Sequence, residues 1–356
     1  MTTASPEISI CIPVYNGERY LGDCLRSVQR QTVANVEILI VDDGSRDGSN
    51  AIALSHAAHD PRVRVVTNPH NLGLVGNWNR CLELAVGTWI KFVFQDDEIA
   101  PDCLERMLRA TGPDTVLVAC SREFDFESTT PPELKAWYTA NRSSIEQQWG
   151  SRPCTIEADR VCRATTARPG ANLFGEPTSM LVRRSAFAQH GNFNADLIMS
   201  CDLEYWTRIA VHAGFEWVPE RLATFRVHDG ATSAENRGSR SFRMDVLDNV
   251  VLMHEFAFSP VYEPLRRFAA AQQPPVDFED VFRDKAKWGW RAAVETSVGS
   301  APGTRSPLEE WEVVARQYPR IRAGGAVPHP PTLTARLMSL ARRVRGRPAP
   351  DKHGCE

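Results

Sequence analysis

Four small clusters in this chain carry side chains suited to chemistry. They are Asp42-Asp43, Asp96-Asp97, Asp202 within Cys201-Asp202-Leu203-Glu204, and His228 at the end of Arg226-Val227-His228. Adjacent carboxylates suit a hard divalent cation such as Mg2+ or Mn2+, which takes oxygen ligands and shares them with phosphate oxygens. A cation so held stabilises charge on a departing diphosphate. Within Asp96-Asp97 one acid can take the metal and the other a ribose or the metal's waters; the alternative is a solvated acidic turn. Asp42-Asp43-Gly44-Ser45 offers acceptors for an imide N–H or a hydroxyl, as a base or ribose presents. Its plainer reading is a turn in which Ser45 or Asp47 caps a helix. Asp202 can serve as a general base that takes the proton from an attacking hydroxyl, or as a favourable acid at a helix N-terminus. A neutral His228 can ligate a metal or contact a diphosphate, although a lone His is often a packing residue.

These clusters need elements to bring them together. The apolar run 8–14 reads as a buried strand that enters the loop Tyr15-Asn16-Gly17. Runs at 36–41, 62–67 and 89–94 read as further strands. Between them, Leu21, Cys24, Leu25 and Val28 share one helical face, and Val75, Trp78, Leu82 and Ala85 another; 51–58 supplies a third helix. The alternation predicts a parallel, doubly wound sheet. Ligands of such sheets bind beyond the carboxyl ends of the strands. Tyr15-Asn16, Asp42-Asp43 and Asp96-Asp97 all fall at that edge. Further on, 116–119 and 178–183 read as strands, 202–213 as a helix with Trp206, Ile209, Ala210 and Ala213 on one face, and 222–227 as a strand. The stretch 121–171 reads as an insertion of loops and short helices, and the chain from Asp245 onward as helical.

Bulk properties exclude some classes. The chain has 356 residues, 42% of them hydrophobic, enough for a sizeable core. A formal net charge of −3 gives no basic drive toward nucleic acid. The nine cysteines form no C-x-x-C pair and most sit in apolar stretches, which predicts buried free thiols and a reducing compartment. Met1–Glu7 is short and polar, with no signal-peptide pattern, and no apolar run approaches the ~20 residues of a membrane span. A cytoplasmic protein is expected, peripheral at most on the inner face of the membrane. Residues 332–347 place Leu333, Leu337, Leu340 and Val344 on one face beside several arginines. Contact with an anionic membrane surface and an ordinary solvated tail are both compatible with that pattern.

Taken in order, the segments resemble the family 2 glycosyltransferases. They are Pro13-Val14-Tyr15-Asn16-Gly17, Val41-Asp42-Asp43-Gly44-Ser45-Arg46-Asp47-Gly48, Asn71-Leu72-Gly73 with Asn79, Ala85-Val86-Gly87, Gln95-Asp96-Asp97, Phe174-Gly175-Glu176-Pro177-Thr178-Ser179, Gly191-Asn192-Phe193, Cys201-Asp202-Leu203-Glu204-Tyr205-Trp206 and Phe225-Arg226-Val227-His228. The resemblance implies a GT-A fold, a Rossmann-like α/β domain with a mostly parallel central sheet over 1–240, followed by a mainly helical extension over 241–356. It implies that 1–120 binds a nucleoside-diphosphate sugar and that 121–240 holds the acceptor, a glycan or lipid-linked glycan, and the base. Tyr15 and Asp43 match positions that hold the nucleotide base, with Pro13, Asn16 and Asn79 beside the nucleotide. Asp96 matches the acid near ribose and metal, Asp97 the metal-binding acid, His228 a position near the metal and diphosphate, and Asp202 the catalytic base of an inverting transfer. Three residues depart from the pattern. Gln95 replaces a frequent first Asp, Cys201 an acid before the base, and Trp78 an Arg before Asn79, so the metal is expected to lean on Asp97 and His228.

Three other classes are weighed against this one. A sugar-nucleotide nucleotidyltransferase would carry a Gly/Arg/Lys-rich phosphate loop, and Tyr15-Asn16-Gly17-Glu18-Arg19 is poor in those groups. A dehydrogenase would carry G-x-G-x-x-G after the first strand, which is absent. A non-catalytic nucleotide- or glycan-binding partner of another transferase would not need both Asp97 and Asp202.

Overall fold

The computed structural model describes residues 5–228, 241–297 and 305–323. Its centre is a nine-stranded mixed sheet with strand order β3-β2-β1-β4-β8-β6-β9-β5, and β7 pairs with β9. The first half is the expected parallel one. β1 (Ile8–Val14), β2 (Val36–Asp42), β3 (Val63–Thr67) and β4 (Trp89–Phe92) run parallel, with β1 between β2 and β4. Every residue of β1 is buried, as a strand covered on both faces requires. Helices α1 (Leu21–Gln29), α2 (Ser49–His59) and α3 (Gly73–Leu84) make the crossovers, and the expected faces are those buried: Leu21, Cys24, Leu25 and Val28 on α1, and Val75, Trp78 and Leu82 on α3.

Beyond β4 the sheet reverses. β8 (Met180–Arg183) lies antiparallel to β4 and to β6 (Leu117–Phe126), while β6 runs parallel to β9 (Phe215–Val227). Short strands β5 (Glu98–Ile99) and β7 (Cys154–Ile156) pair antiparallel with β9. Helix α4 (Cys103–Arg109) connects β5 to β6. The stretch 121–171 is far more ordered than its composition indicates. It continues β6 by six residues, then forms the 18-residue helix α5 (Pro132–Trp149), β7 and α6 (Ala158–Ala167). The strand was masked because Arg122 occupies a core position beside Phe124, with exposed Glu123 and Asp125 alternating. The helix was masked because Arg142 interrupts its buried stripe of Tyr138, Ile145 and Trp149.

After α7 (Ser185–His190), α8 (Cys201–Ala213) is buried on nearly every side, from Cys201 and Leu203 through Val211. Its buried Glu204 and Arg208 pair with each other, as charges inside a core must. One reason it is covered is the segment that follows β9: a π-helical turn over Arg243–Leu247, α9 (Asp248–Phe258) and α10 (Glu263–Ala270). Tyr262, between α9 and α10, donates its hydroxyl to the buried Glu204 carboxylate at 2.6 Å. Glu204 also takes the Arg208 guanidinium, which reaches on to the carbonyls of His190 and Asn192 at 2.7 and 3.0 Å. The first compact unit accordingly extends through Phe282, whereas the expected domain boundary stood at 240. The second unit begins at Arg283 within α11 (Phe278–Thr296) and includes α12 (Pro307–Gln317), which starts with a Ser306/Glu309 capping box, and α13 (Arg320–Ala323). Among the described residues eight cysteines are free thiols, seven of them buried. Among the described residues no helix is long and apolar enough to cross a membrane. The basic stretch 332–347 lies outside the described residues.

Candidate active site

The strand order puts the loops after β1, β2 and β4 side by side at one sheet edge, and side chains lace them together. Asn16, with φ of 49°, donates its N–H to Ser45 Oγ (2.9 Å) and accepts the Arg46 N–H on its side-chain oxygen (2.9 Å). Gly17 N–H donates to Ser49 Oγ at 2.8 Å, and Glu18 N–H donates to Asp47 at 3.0 Å. Pro13 is buried within β1 opposite Val41. Tyr15 stands at this edge 45% exposed, with an aromatic ring able to cover a flat ligand.

Gln95 explains why the loop after β1 stands where it does. Its Oε1 accepts the Tyr15 N–H at 2.9 Å, and its Nε2 donates to the Tyr15 carbonyl at 3.2 Å. An amide matches a peptide group in both directions; a carboxylate in this place could accept but not donate. The side chain also fills the space beside Gly17, where an added Cβ would lie 2.4 Å from Gln95 Oε1. The departure from the family pattern is thus a clamp between the β1 and β4 loops.

Three expected ligand-binding residues make hydrogen bonds within the chain itself. Asp43 is buried, and its carboxylate accepts Asn68 Nδ2 (2.8 Å), Leu72 N–H (2.8 Å) and Gly73 N–H (3.0 Å), so it anchors the start of α3. Asn79 makes a two-way amide pair with the Phe193 peptide, donating to its carbonyl and accepting its N–H, both at 3.0 Å. Asp97 is 1% exposed; Thr178 Oγ1 donates to its Oδ2, and the Arg226 N–H donates to its Oδ1 at 3.2 Å. Burial and the neighbouring Asp96 carboxylate push the Asp97 pKa well above the ordinary range, against the pull of Thr178 and Arg226. Sequence spacing shows which residues sit at the edge but not which way each side chain turns.

Asp96 turns the other way. Its Oδ2 lies 3.0 Å from His228 Nε2, while the Arg226 guanidinium holds its backbone carbonyl at 3.1 Å. The His228 ring packs on Tyr20 with centroids 4.6 Å apart. Arg226 lies over the same Tyr20 ring and pairs with Glu98 and Asp125 at 2.8 and 2.5 Å. Asp96 and His228, 132 residues apart in sequence, form a carboxylate–imidazole pair at the strand edge. Among the described residues no three His, Cys, Asp or Glu side chains form a complete metal cage.

The second pole is the N-terminal turn of α8. Asp202 Oδ1 accepts the Leu203 N–H at 2.7 Å. Burial first, and the Glu176 carboxylate second among the raising influences, lift the Asp202 pKa from the ordinary 3.8 to about 7, opposed by backbone N–H groups and by Arg122. Arg122 is 1% exposed and forms an ion pair with Glu176; it also donates to Asn141 Oδ1 at 2.8 Å. The chain bends around that guanidinium at Gly175, φ +101°, where a Cβ would lie 2.7 Å from Arg122 Nη1. Asn172 secures the bend by accepting the Phe174 and Gly175 N–H groups at 3.0 and 2.8 Å. Neither Arg122 nor Glu176 was singled out from sequence for a role, although Gly175-Glu176 was noticed as a motif. The other two departures are packing residues. Cys201 is buried, with its thiol on the Ile198 carbonyl at 3.2 Å, and Trp78 stacks on Phe94 at 4.7 Å.

Residues 9–191, just over half of the chain, match the family model described as Glycosyl transferase family 2. The chain belongs to that family. It is a glycosyltransferase of GT-A fold, and Asp202 and His228 lie beyond the matched residues. It is 30% identical over 280 residues to the uncharacterized protein MT1568 of Mycobacterium tuberculosis, covering 75% of this chain and 81% of that one. It is 43% identical over 125 residues to the putative glycosyltransferase EpsH of Bacillus subtilis, a match that spans about a third of each chain, 35% and 36%. Among solved structures it is similar to the mannosyltransferase PcManGT from Pyrobaculum calidifontis, in complex with GDP-Man and Mn2+. That likeness has a TM-score of 0.52 at 15% identity and covers 96% of this chain and 89% of that one.

Proposed function

We propose that this glycosyltransferase moves a sugar from a nucleoside-diphosphate sugar to an acceptor hydroxyl with inversion at the anomeric carbon, and that Asp202 is the general base. The observation that carries the reading is a carboxylate poised near pH 7 at the start of α8. A general base works best when its pKa lies near the operating pH. Asp202 accepts the acceptor's proton as its oxygen attacks from the face opposite the diphosphate; one displacement inverts the centre, with no covalent intermediate. The Glu176–Arg122 pair fixes the local charge.

The nucleotide rests on the edge built by Pro13, Tyr15 and Asn16, with the Tyr15 ring as the exposed face. Asp96 and His228 would hold a divalent cation, since one carboxylate oxygen and one imidazole nitrogen already converge, and such a cation also takes phosphate oxygens. When bound, Mg2+ or Mn2+ would neutralise the diphosphate leaving group. We place Asp97 behind this pair, as the residue that ties the β4 loop to Thr178 and β9. The acceptor is a glycan or lipid-linked glycan, and a surface polysaccharide or glycoconjugate is the product class. The mannosyltransferase bound to GDP-Man and Mn2+ supports the donor class and the cation by shared fold.

The test is donor consumption with purified enzyme, read as nucleoside diphosphate release. Wild type with Mn2+ should release it and Asp202→Asn should not, while both bind donor with similar Kd. Pyrophosphate as the product would point to a nucleotidyltransferase and end this reading.

A further inference from the structure

The turn that launches α8 is held from a part of the chain beyond the family match. Asp248, the first residue of α9, is fully buried. Its Oδ2 accepts three successive backbone N–H groups: Ile198 at 2.9 Å, Met199 at 2.6 Å and Ser200 at 3.1 Å. Its Oδ1 takes the Arg243 guanidinium at 3.0 Å, and the same guanidinium donates to the Asp196 carbonyl. Consecutive N–H groups that converge on one point form a concavity that ordinarily receives an anion. Here the anion is the chain's own carboxylate, delivered from about fifty residues downstream, 48 for Ser200.

Asp202 lies two residues beyond this turn. Ser200 stands at the N-cap of α8 and makes no side-chain cap, so the first turn lacks the usual local brace. Asp248 instead braces, from across the fold, the three residues that lead into the helix. The direction of the Asp202 side chain follows from the backbone of this turn, because its own Oδ1 is bound to the adjacent Leu203 N–H. A base displaced by about 1 Å loses on the order of 100-fold in rate.

We propose that Asp248, anchored by Arg243, is a positioning residue for Asp202: its carboxylate gathers the 198–200 N–H groups and thereby aims the base at the acceptor hydroxyl. The inference rests on the reading of Asp202 as the base. It makes the segment 243–258 part of the catalytic unit.

The experiment uses the full chain with Asp248→Ala, Asp248→Asn and Arg243→Met. Asp248→Ala should lower kcat about 10- to 100-fold and leave the donor KM and Kd within twofold. Amide exchange at 198–203 should accelerate while β1 and α3 keep their rates. The acidic limb of the kcat–pH profile should shift, since a re-aimed Asp202 meets a different environment. Asp248→Asn keeps an oxygen that can accept the three N–H groups and should recover most of the rate. Arg243→Met should fall between the two, and these two variants carry the test if Asp248→Ala does not fold. Wild-type kcat per donor-binding site in Asp248→Ala, whatever its Tm, overturns the proposal. So does an Asn variant no faster than Ala. If Asp202→Asn is itself fully active, the base reading fails; if it is inactive while Asp248→Ala is normal, only the positioning role fails.

Discussion

Asp202→Asn should kill the enzyme and stabilise the protein, and the second effect depends on pH in a calculable way. The Asp202 pKa rises from 3.8 to about 7 on folding. Holding the ionised form in that setting costs about 4 kcal/mol at most, at 1.36 kcal/mol per tenfold change in proton affinity. Solvent at the partly exposed carboxylate screens part of this, so about 1–3 kcal/mol is the working range. The sign follows from proton linkage. Between about pH 4 and pH 7 the folded chain keeps a proton that the unfolded chain has released, so stability falls as pH rises through that window and levels off above it. Asparagine has no proton to lose, and its oxygen can still accept the Leu203 N–H. Against wild type, the variant should gain little or nothing near pH 4 and several degrees in Tm at pH 8, at roughly 2 °C per kcal/mol for a unit of this size. In the same preparation kcat should drop by about 10² to 10⁴, the usual contribution of a general base. Wild-type kcat should fall as pH drops below about 7, where Asp202 takes up its proton. The measurements are Tm by calorimetry at pH 5 and 8 and initial rates across the same range. A Tm difference that does not change with pH would refute the electrostatic argument. Retained turnover would refute the catalytic one.

The remaining predictions concern the nucleotide edge. Gln95→Glu removes the donor to the Tyr15 carbonyl and sets a carboxylate against it, which should weaken nucleoside diphosphate binding about tenfold, measured by calorimetric titration. Asp96→Asn and His228→Ala should each raise the Mn2+ concentration for half-maximal rate at least tenfold, whereas Asp97→Asn should raise it less than threefold, because its amide can replace the bonds to Thr178 and Arg226; the reverse order would exchange the roles of the two acids. Exhaustive chelation should abolish transfer and Mn2+ should restore it, and full activity after chelation would remove the cation from the reading. In a thermal-shift panel of nucleoside diphosphates, the true donor's base at about 100 times its Kd should add about 2.7 kcal/mol of apparent stability with Mn2+, and a panel with no responder would count against the donor class.

Much of the nucleotide half was legible in the linear chain. Apolar runs of strand length alternate with helical faces, and the polar clusters fall at strand ends, because burial on both faces of a parallel sheet demands that pattern. The faces predicted for α1 and α3 are the buried ones. The region 121–171 was not legible, because Arg122 and Arg142 occupy inward positions where periodicity analysis looks for apolar side chains. Those charges are tolerable inside only because Glu176, Asn141 and Glu123 meet them there.

What the sequence determined by itself is which residues reach the carboxyl edge of the sheet, since strand length and motif order are local properties. Tertiary structure decided which partners each of them meets once there. Asp43, Asn79 and Asp97 looked like ligand contacts, and each is bound by the chain's own donors or acceptors. Asp96 meets His228 because β9 pairs with β6 and β5 in a register that no local pattern encodes. Asp202 acquires a pKa near 7 from burial and from Glu176, and the turn beneath it is held by Asp248. Hydrogen bonds and desolvation act over a few ångströms of space without regard to separation along the chain, so these roles became visible only in the folded protein.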